Sequence, residues 1–255
     1  MPATHTASNP WIRRFHPNPD AGARLVCFPH AGGSASFYFP VSQALADRVD
    51  VLCLQYPGRQ DRRREACIDD MGRLADEVAE VLRPWLDRPV AFFGHSMGAL
   101  LAFEVALRAE KKLGTSPIRL FASGRRAPST LRNENVHQRD DEGILAELKL
   151  MSGTDARILG EDEILRVILP AIRGDYKAVE TYQAEPGAVV TCPVDVLVGD
   201  DDPKTTIEEA RAWQEHTTAD FDLRVFSGGH FFLAHHQDEI VTLMADRIAS
   251  SPTAS

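Results

Sequence analysis

A serine between two glycines, in Gly94-His95-Ser96-Met97-Gly98, has the G-x-S-x-G spacing of a nucleophile held on a tight turn. Residues 89–93 (PVAFF) before it read as a buried strand, and residues 99–112 after it form a helical stretch without glycine or proline. The pattern therefore falls at a strand-to-helix junction. There the flanking glycines permit a strained turn that lifts the hydroxyl above the sheet edge. The helix that follows aims its N-terminus at the site, which favours a developing oxyanion. An ordinary strand–helix turn is the competing reading, and the strength of both flanking elements disfavours it.

A serine hydroxyl becomes a useful nucleophile only when a base takes its proton. Nine histidines are available. His230, in Ser227-Gly228-Gly229-His230, follows the short strand-like run 223–226 (LRVF) on a glycine loop that can present it. His235 and His236 come later, on the approach to a last helix, and His95 is tied to the turn itself. An acid must orient the base, and the run 193–198 (PVDVLV) is followed by three aspartates, Asp200, Asp201 and Asp202. Spacing alone leaves the choice among them open. Serine, aspartate and histidine fall in the chain order known for one hydrolase fold. Two backbone N–H donors are also needed for the oxyanion: one from Met97, after the nucleophile, and one from the small-residue loop His30-Ala31-Gly32-Gly33.

These residues need a frame. Strand-like runs at 24–28, 49–54, 89–93, 118–122, 193–198 and 223–226 alternate with helical stretches at 37–46, 71–86, 99–112 and 237–248. Such alternation predicts an α/β-hydrolase fold, a mostly parallel central sheet flanked by helices. Residues 128–187 break the rhythm: they are rich in helix formers, hold no convincing strand and carry a break at 152–155. They read as a helical lid insertion over the carboxyl edge of the sheet, where such folds bind ligands. The expected organisation is a polar N-terminal arm at 1–20, one domain over 21–250 that includes the lid, and a short tail at 251–255.

Composition narrows the function. At 255 residues, 44% hydrophobic, the chain can bury one large core. A net charge of −9 disfavours nucleic acid as the main partner. The four cysteines form no C-x-x-C pair, and Cys27 and Cys53 lie in apolar runs as expected of buried thiols. No segment suits a signal peptide or a membrane span, so a soluble, cytoplasmic protein is expected, and a monomer, since no oligomerisation segment stands out.

Seven segments, LVCFPHAGGSAS, LQYPGRQDRR, FFGHSMGALLAFEVA, LFASGRRAP, LPAIRGDYKAVETY, LVGDDDP and GGHFFL, resemble those of the type II thioesterases, the free-standing editing enzymes of polyketide and non-ribosomal peptide assembly lines. The likeness implies hydrolysis of stalled or aberrant acyl groups from the phosphopantetheine arm of acyl carrier proteins. It implies Ser96 as nucleophile and His230 as base. It selects Asp202 as the acid, because the family's G-x-x-D-P pattern places that residue immediately before proline. It maps the oxyanion donors to Met97 and Ala31, and no metal or organic cofactor is implied.

Phe37 and Tyr38 are candidates for the acyl pocket. Arg59, Arg62, Arg63 and Arg64 form one candidate docking cluster for an acidic carrier protein, and Arg125 with Arg126 another. A carboxylesterase or lipase acting on oxygen esters is the alternative that the same serine machinery would serve. A product-cyclising thioesterase fits less well, and a non-catalytic carrier-binding module would be expected to lack one of Ser96, Asp202 and His230.

Overall fold

The computed structural model describes residues 9–152 and 162–251. Seven strands form one sheet: β1 (Ile12–Arg13), β2 (Arg24–Phe28), β3 (Asp50–Leu54), β4 (Val90–His95), β5 (Arg119–Ser123), β6 (Val194–Gly199) and β7 (Phe221–Phe226), in the order β1-β3-β2-β4-β5-β6-β7. All pairs are parallel except β1 with β3. Every residue of β2 to β6 is buried, which is why these segments read as continuous apolar runs.

Successive side chains leave opposite faces of a strand, so two cores arise. Val26, Phe28, Leu52, Leu54 and Phe92 point into one, beneath helices α2 (Met71–Leu82) and α3 (Met97–Arg108). Leu25, Cys27, Val51, Cys53 and Phe93 point into the other, against α1 (Phe39–Ala44) and α7 (Gln237–Ser250). In α2 the buried positions Met71, Leu74, Ala75, Val78, Ala79 and Leu82 repeat at helical spacing, and the Asp70 carboxylate caps the start by accepting the Arg73 N–H at 2.8 Å. Pro84 ends the regular helix four residues earlier than periodicity predicts, and Arg83–Trp85 tighten into a 3₁₀ turn. Helix α3 is apolar almost all round because it is buried all round.

Two findings modify the sequence-based organisation. Residues 9–20, expected as part of a polar arm, carry β1, which supplies antiparallel partners to the outer edge of β3. Two residues are too short to show a period, so this strand was invisible to pattern reading. The helix expected at 37–46 is divided, with a 3₁₀ turn at Ala35–Tyr38 and α1 starting at Phe39, where Pro40 fits the first turn.

Within 128–187, α4 (Asp141–Ser152) and α5 (Asp162–Glu180) pack on each other through Ile144, Leu145, Leu148, Leu169, Ile172 and Tyr176, a third apolar cluster apart from both faces of the sheet. Of the break expected at 152–155, Ser152 ends α4 and the rest lies outside the described residues, as do the chain ends at 1–8 and 252–255. A short helix α6 (Ile207–Arg211), closed by a capping box between Thr206 and Glu209, follows β6. No helix among the described residues is long and apolar enough to cross a membrane.

Candidate active site

Ser96 stands between the end of β4 and the first turn of α3 with φ 56° and ψ −117°, a backbone conformation unfavourable for a residue with a side chain. Its N–H donates to the Ser123 carbonyl at 2.8 Å, which fixes the turn to β5. The glycines beside it are required by contact. A Cβ on Gly94 would stand 2.1 Å from the Gly98 carbonyl oxygen, and one on Gly98 would stand 2.0 Å from the Phe28 carbonyl oxygen. The turn can form only because β4, α3 and the end of β2 touch backbone to backbone.

The turn after β6 separates the three aspartates. Asp200 and Asp201 are exposed, and Asp200 accepts the Gly228 N–H at 2.8 Å, joining this turn to the one after β7. Asp202 is buried, and its two oxygens lie 3.0 and 2.9 Å from His230 Nδ1. One of those oxygens also accepts the Lys204 N–H at 2.8 Å. With Nδ1 engaged by the carboxylate, the opposite ring nitrogen, Nε2, is the one available to a reacting group. His230 is itself buried, and it lines one cavity with Ser96, Met97 and Ala31.

Three histidine rings meet here: His95 lies 5.0 Å from His230 and 6.0 Å from His30, centroid to centroid. Among the described residues, His230 alone of the three has a carboxylate partner. Burial, followed by the proximity of His230 and Arg59, pushes His30 down to about 3. Burial, with His230 and His30 nearby, holds His95 well below the usual histidine range, and its Nδ1 sits 3.0 Å from Ser123 Oγ. Both are therefore neutral at physiological pH, which keeps two competing positive charges away from His230. His236 bonds to Ser227, on the turn behind.

The loop after β2 is held from several sides. The Gly33 N–H donates to the His30 carbonyl at 2.9 Å, and the Gly32 N–H donates to Asp175 Oδ2 at 2.7 Å. Asp175 belongs to α5 and is also ion-paired with Arg59, both side chains being buried. Burial raises the Asp175 carboxyl above its ordinary range, while Arg59 and the Gly32 N–H pull it the other way. Gly32 and Gly33 are thus engaged within the protein, and Ala31 lines the cavity beside Ser96.

The cavity measures about 120 Å³ and runs between the sheet edge and helices α4 and α5. Met97, Leu148, Met151, Ile172 and Phe231 supply apolar wall. Phe37 and Tyr38, expected there, are elsewhere. The Tyr38 ring is fully buried behind the loop, where its hydroxyl donates to the Phe28 carbonyl at 2.9 Å. Phe37 packs edge-on to His30 with its ring centroid at 4.6 Å, away from the cavity wall. Both support the loop from behind, because the 3₁₀ turn at 35–38 turns them inward.

The arginine clusters also require correction. Arg59 and Arg62 are buried, Arg59 on Asp175 and Arg62 donating to the Gln55 carbonyl at 2.7 Å with its guanidinium 4.3 Å from the Trp11 ring centroid. Arg125 and Arg126 are buried as well, and Arg126 pairs with Glu134 at 2.5 Å. Internal partners have drawn Arg59, Arg62 and Arg126 inward, Arg125 is buried beside them, and of the two clusters Arg63 and Arg64 remain exposed for docking. Asp175 was missed as a functional residue although it lies in the segment DYKAVETY, because its link to Gly32 spans 143 positions and has no local signature.

The parallel sheet with a serine on its β4–α3 turn defines an α/β-hydrolase. Residues 23–248 match the Thioesterase domain family. The chain is 58% identical to the "Probable cadicidin biosynthesis thioesterase" of Streptomyces griseus over 93% of its length and 66% of that protein's. It is 51% identical to "Thioesterase PikA5" of Streptomyces venezuelae, over 93% of this chain and 85% of that one. Among solved structures, the type II thioesterase BorB from the borrelidin biosynthetic cluster superposes with a TM-score of 0.91 at 51% identity, covering 95% of this chain and 99% of that one. The chain belongs to the thioesterase family.

Proposed function

We propose that this protein is a type II thioesterase that releases acyl groups from the phosphopantetheine arm of carrier proteins in polyketide or non-ribosomal peptide synthesis. The observation that carries the reading is the buried Asp202–His230 pair, at 2.9 Å, opening on the same cavity as the strained Ser96. Ser96 Oγ attacks the thioester carbonyl while His230 Nε2 takes its proton. Asp202 holds the ring in the tautomer that leaves Nε2 free and stabilises the imidazolium that results. The oxyanion is received by the N–H groups of Met97 and Ala31, and losing one such donor costs about 2.7–4 kcal/mol of transition-state stabilisation.

The imidazolium then returns its proton to the leaving thiolate, whose pKa of about 8.5, by analogy with cysteine, makes departure easy. Water adds to the acyl carbon while His230 Nε2 takes its proton, and the imidazolium returns that proton to Ser96 Oγ as the acyl-Ser96 ester breaks to the free acid. Membership of the thioesterase family and the names of the relatives support thioester chemistry over oxygen-ester chemistry. The exposed Arg63 and Arg64 supply basic charge for an acidic carrier protein, and the expected setting is a monomer in the cytoplasm.

The test is turnover of acyl carrier proteins and matched oxygen esters by wild type and Ser96→Ala. Carrier-bound thioesters should be hydrolysed faster than the esters, and the substitution should lower kcat by at least about 10⁴-fold. Turnover of oxygen esters alone would sink the carrier-protein reading, and activity surviving in Ser96→Ala would sink the nucleophile.

A further inference from the structure

The residue two places after Asp202 touches it through the backbone and reaches away from it through the side chain. The Lys204 N–H donates to Asp202 Oδ1 at 2.8 Å, and that same oxygen lies 3.0 Å from His230 Nδ1. The carboxylate therefore takes its direction from two groups, the histidine ring and the Lys204 peptide. Pro203, between them, has its φ fixed by its ring. The place of the Lys204 peptide then depends on what holds residue 204.

Its own side chain does the holding. Lysine ordinarily keeps its ammonium in water at the end of a flexible stem. The Lys204 side chain is 14% exposed, and its Nζ is drawn in to two carboxylates, Glu134 at 2.8 Å and Glu147, which is buried on α4. Arg126 donates both to Glu134, at 2.5 Å, and to the Lys204 carbonyl, at 3.4 Å. Arg139 donates to the second oxygen of Glu147 at 2.9 Å. Removing one member of such a group leaves its partners as uncompensated charge, so the lysine is held firmly in place. Among the described residues, its ammonium is the ion-pair link between the Asp202 turn and α4.

We propose that Lys204 is a positioning residue for Asp202: its side chain, anchored on Glu134 and Glu147, fixes the peptide that aims the Asp202 carboxylate at His230 Nδ1. This rests on the reading above, in which Asp202 serves His230 during thioester hydrolysis. Asp202 contributes most in the transition state, when His230 becomes the imidazolium. A displaced carboxylate therefore costs turnover and leaves binding of the resting substrate as it was. The same tether reaches α4, whose Leu148 and Met151 line the cavity, so one ammonium sets both the seating of α4 and the aim of Asp202.

The experiment measures kcat and kcat/KM on butyryl-N-acetylcysteamine for wild type, Lys204→Met, Lys204→Arg, Glu147→Gln and the Lys204→Met/Glu147→Gln double variant. Rates are taken per active site, titrated with a serine-reactive fluorophosphonate. Lys204→Met should lower kcat and kcat/KM together by roughly 10- to 100-fold, the cost of a small misplacement in the reacting geometry. Glu147→Gln, outside the cavity wall, should lower both in the same direction, and the double variant should fall no further than Lys204→Met alone. Lys204→Arg, which keeps a cation beside both carboxylates, should retain most of the activity. The proton resonance of His230 Nδ1–H, assigned by its loss in His230→Gln, should move upfield in Lys204→Met. Lower thermal stability with wild-type kcat and an unmoved resonance would reduce Lys204 to a stabilising bridge and overturn the proposal. A raised KM at unchanged kcat would overturn it too, by marking a substrate contact. Should Lys204→Met not fold, Glu147→Gln carries the same two readings. The resonance is read without substrate, so it judges Lys204 even if wild type hydrolyses no thioester in a Ser96-dependent way, a result that would remove the thioesterase reading instead.

Discussion

At the scale of single residues, the proposed reacting groups are set apart by burial more than by type. Three consecutive aspartates follow β6, and their chemistry in isolation is the same. Only Asp202 is turned inward onto His230 Nδ1, while Asp200 spends a side-chain oxygen on the Gly228 N–H. Asp202→Asn should therefore lower kcat by about 10⁴-fold with little change in thermal unfolding, because it leaves His230 in the wrong tautomer. Asp201→Asn, at an exposed position, should stay within about 2-fold; kcat for the two variants, measured side by side, checks the assignment. Ser96 and His230 were legible because each depends on a few neighbouring residues: a glycine-flanked turn and a glycine loop after a strand. The arginines were not. A guanidinium on a solvated loop and one drawn inward by Asp175 or Glu134 are written with the same letter, and the partners lie far off in sequence.

At the scale of elements, the turn carrying Ser96 is a three-way contact of backbone. Gly94 and Gly98 leave no room for a methyl group, with Cβ positions 2.1 and 2.0 Å from carbonyl oxygens. Either glycine changed to alanine should destabilise the protein by at least about 3 kcal/mol, read by urea unfolding, and abolish activity in whatever folded fraction remains. Strands β2 to β6 and the alternation with helices could be read from sequence, since buried parallel strands are close to apolar throughout, whereas β7, mostly unburied, showed only its LRVF end. Strand β1 could not, because its identity comes from the edge of β3 that it covers. The inward turn of Phe37 and Tyr38 was hidden for a related reason: a 3₁₀ turn redirects side chains that α-helical spacing would have placed differently.

At the scale of the whole molecule, the two cores on either side of the sheet make the fold, and the buried ionisable groups set its response to acid. His30 has its pKa lowered from 6.5 to about 3 in the folded protein. Between those values the unfolded chain binds a proton that the folded chain does not, so this contribution is complete above about 6.5 and is lost as pH falls toward 3. His95 is lowered in the same direction. Each should add a slope of about 1.4 kcal/mol per pH unit below pH 6.5. Burial works against ionisation of Glu134, but Lys204 and Arg126 outweigh it and hold the carboxyl down at about 2. Its contribution is present above about 4.5 and is lost as pH falls through about 2. Urea unfolding from pH 7.5 to 4.5 should thus show no slope from these rings down to about pH 6.5 and falling stability below it, and His30→Gln should reduce that slope. A flat profile in wild type would contradict the neutral state assigned to these rings.

The hydrogen bond from Gly32 to Asp175, with Arg59 behind it, joins α5 to the loop that presents Ala31. For anyone recombining relatives of this protein, the cover and the loop after β2 are not separable cassettes. A chimera that imports a foreign α5 without an acid at position 175 would leave Arg59 buried without its carboxylate and the Gly32 N–H without its acceptor. Such a graft should lose turnover even on substrates its new cover was chosen to admit, and restoring the acid should recover it. Crossover points that respect this enzyme therefore keep residues 31–33, 59 and 175 from a single parent.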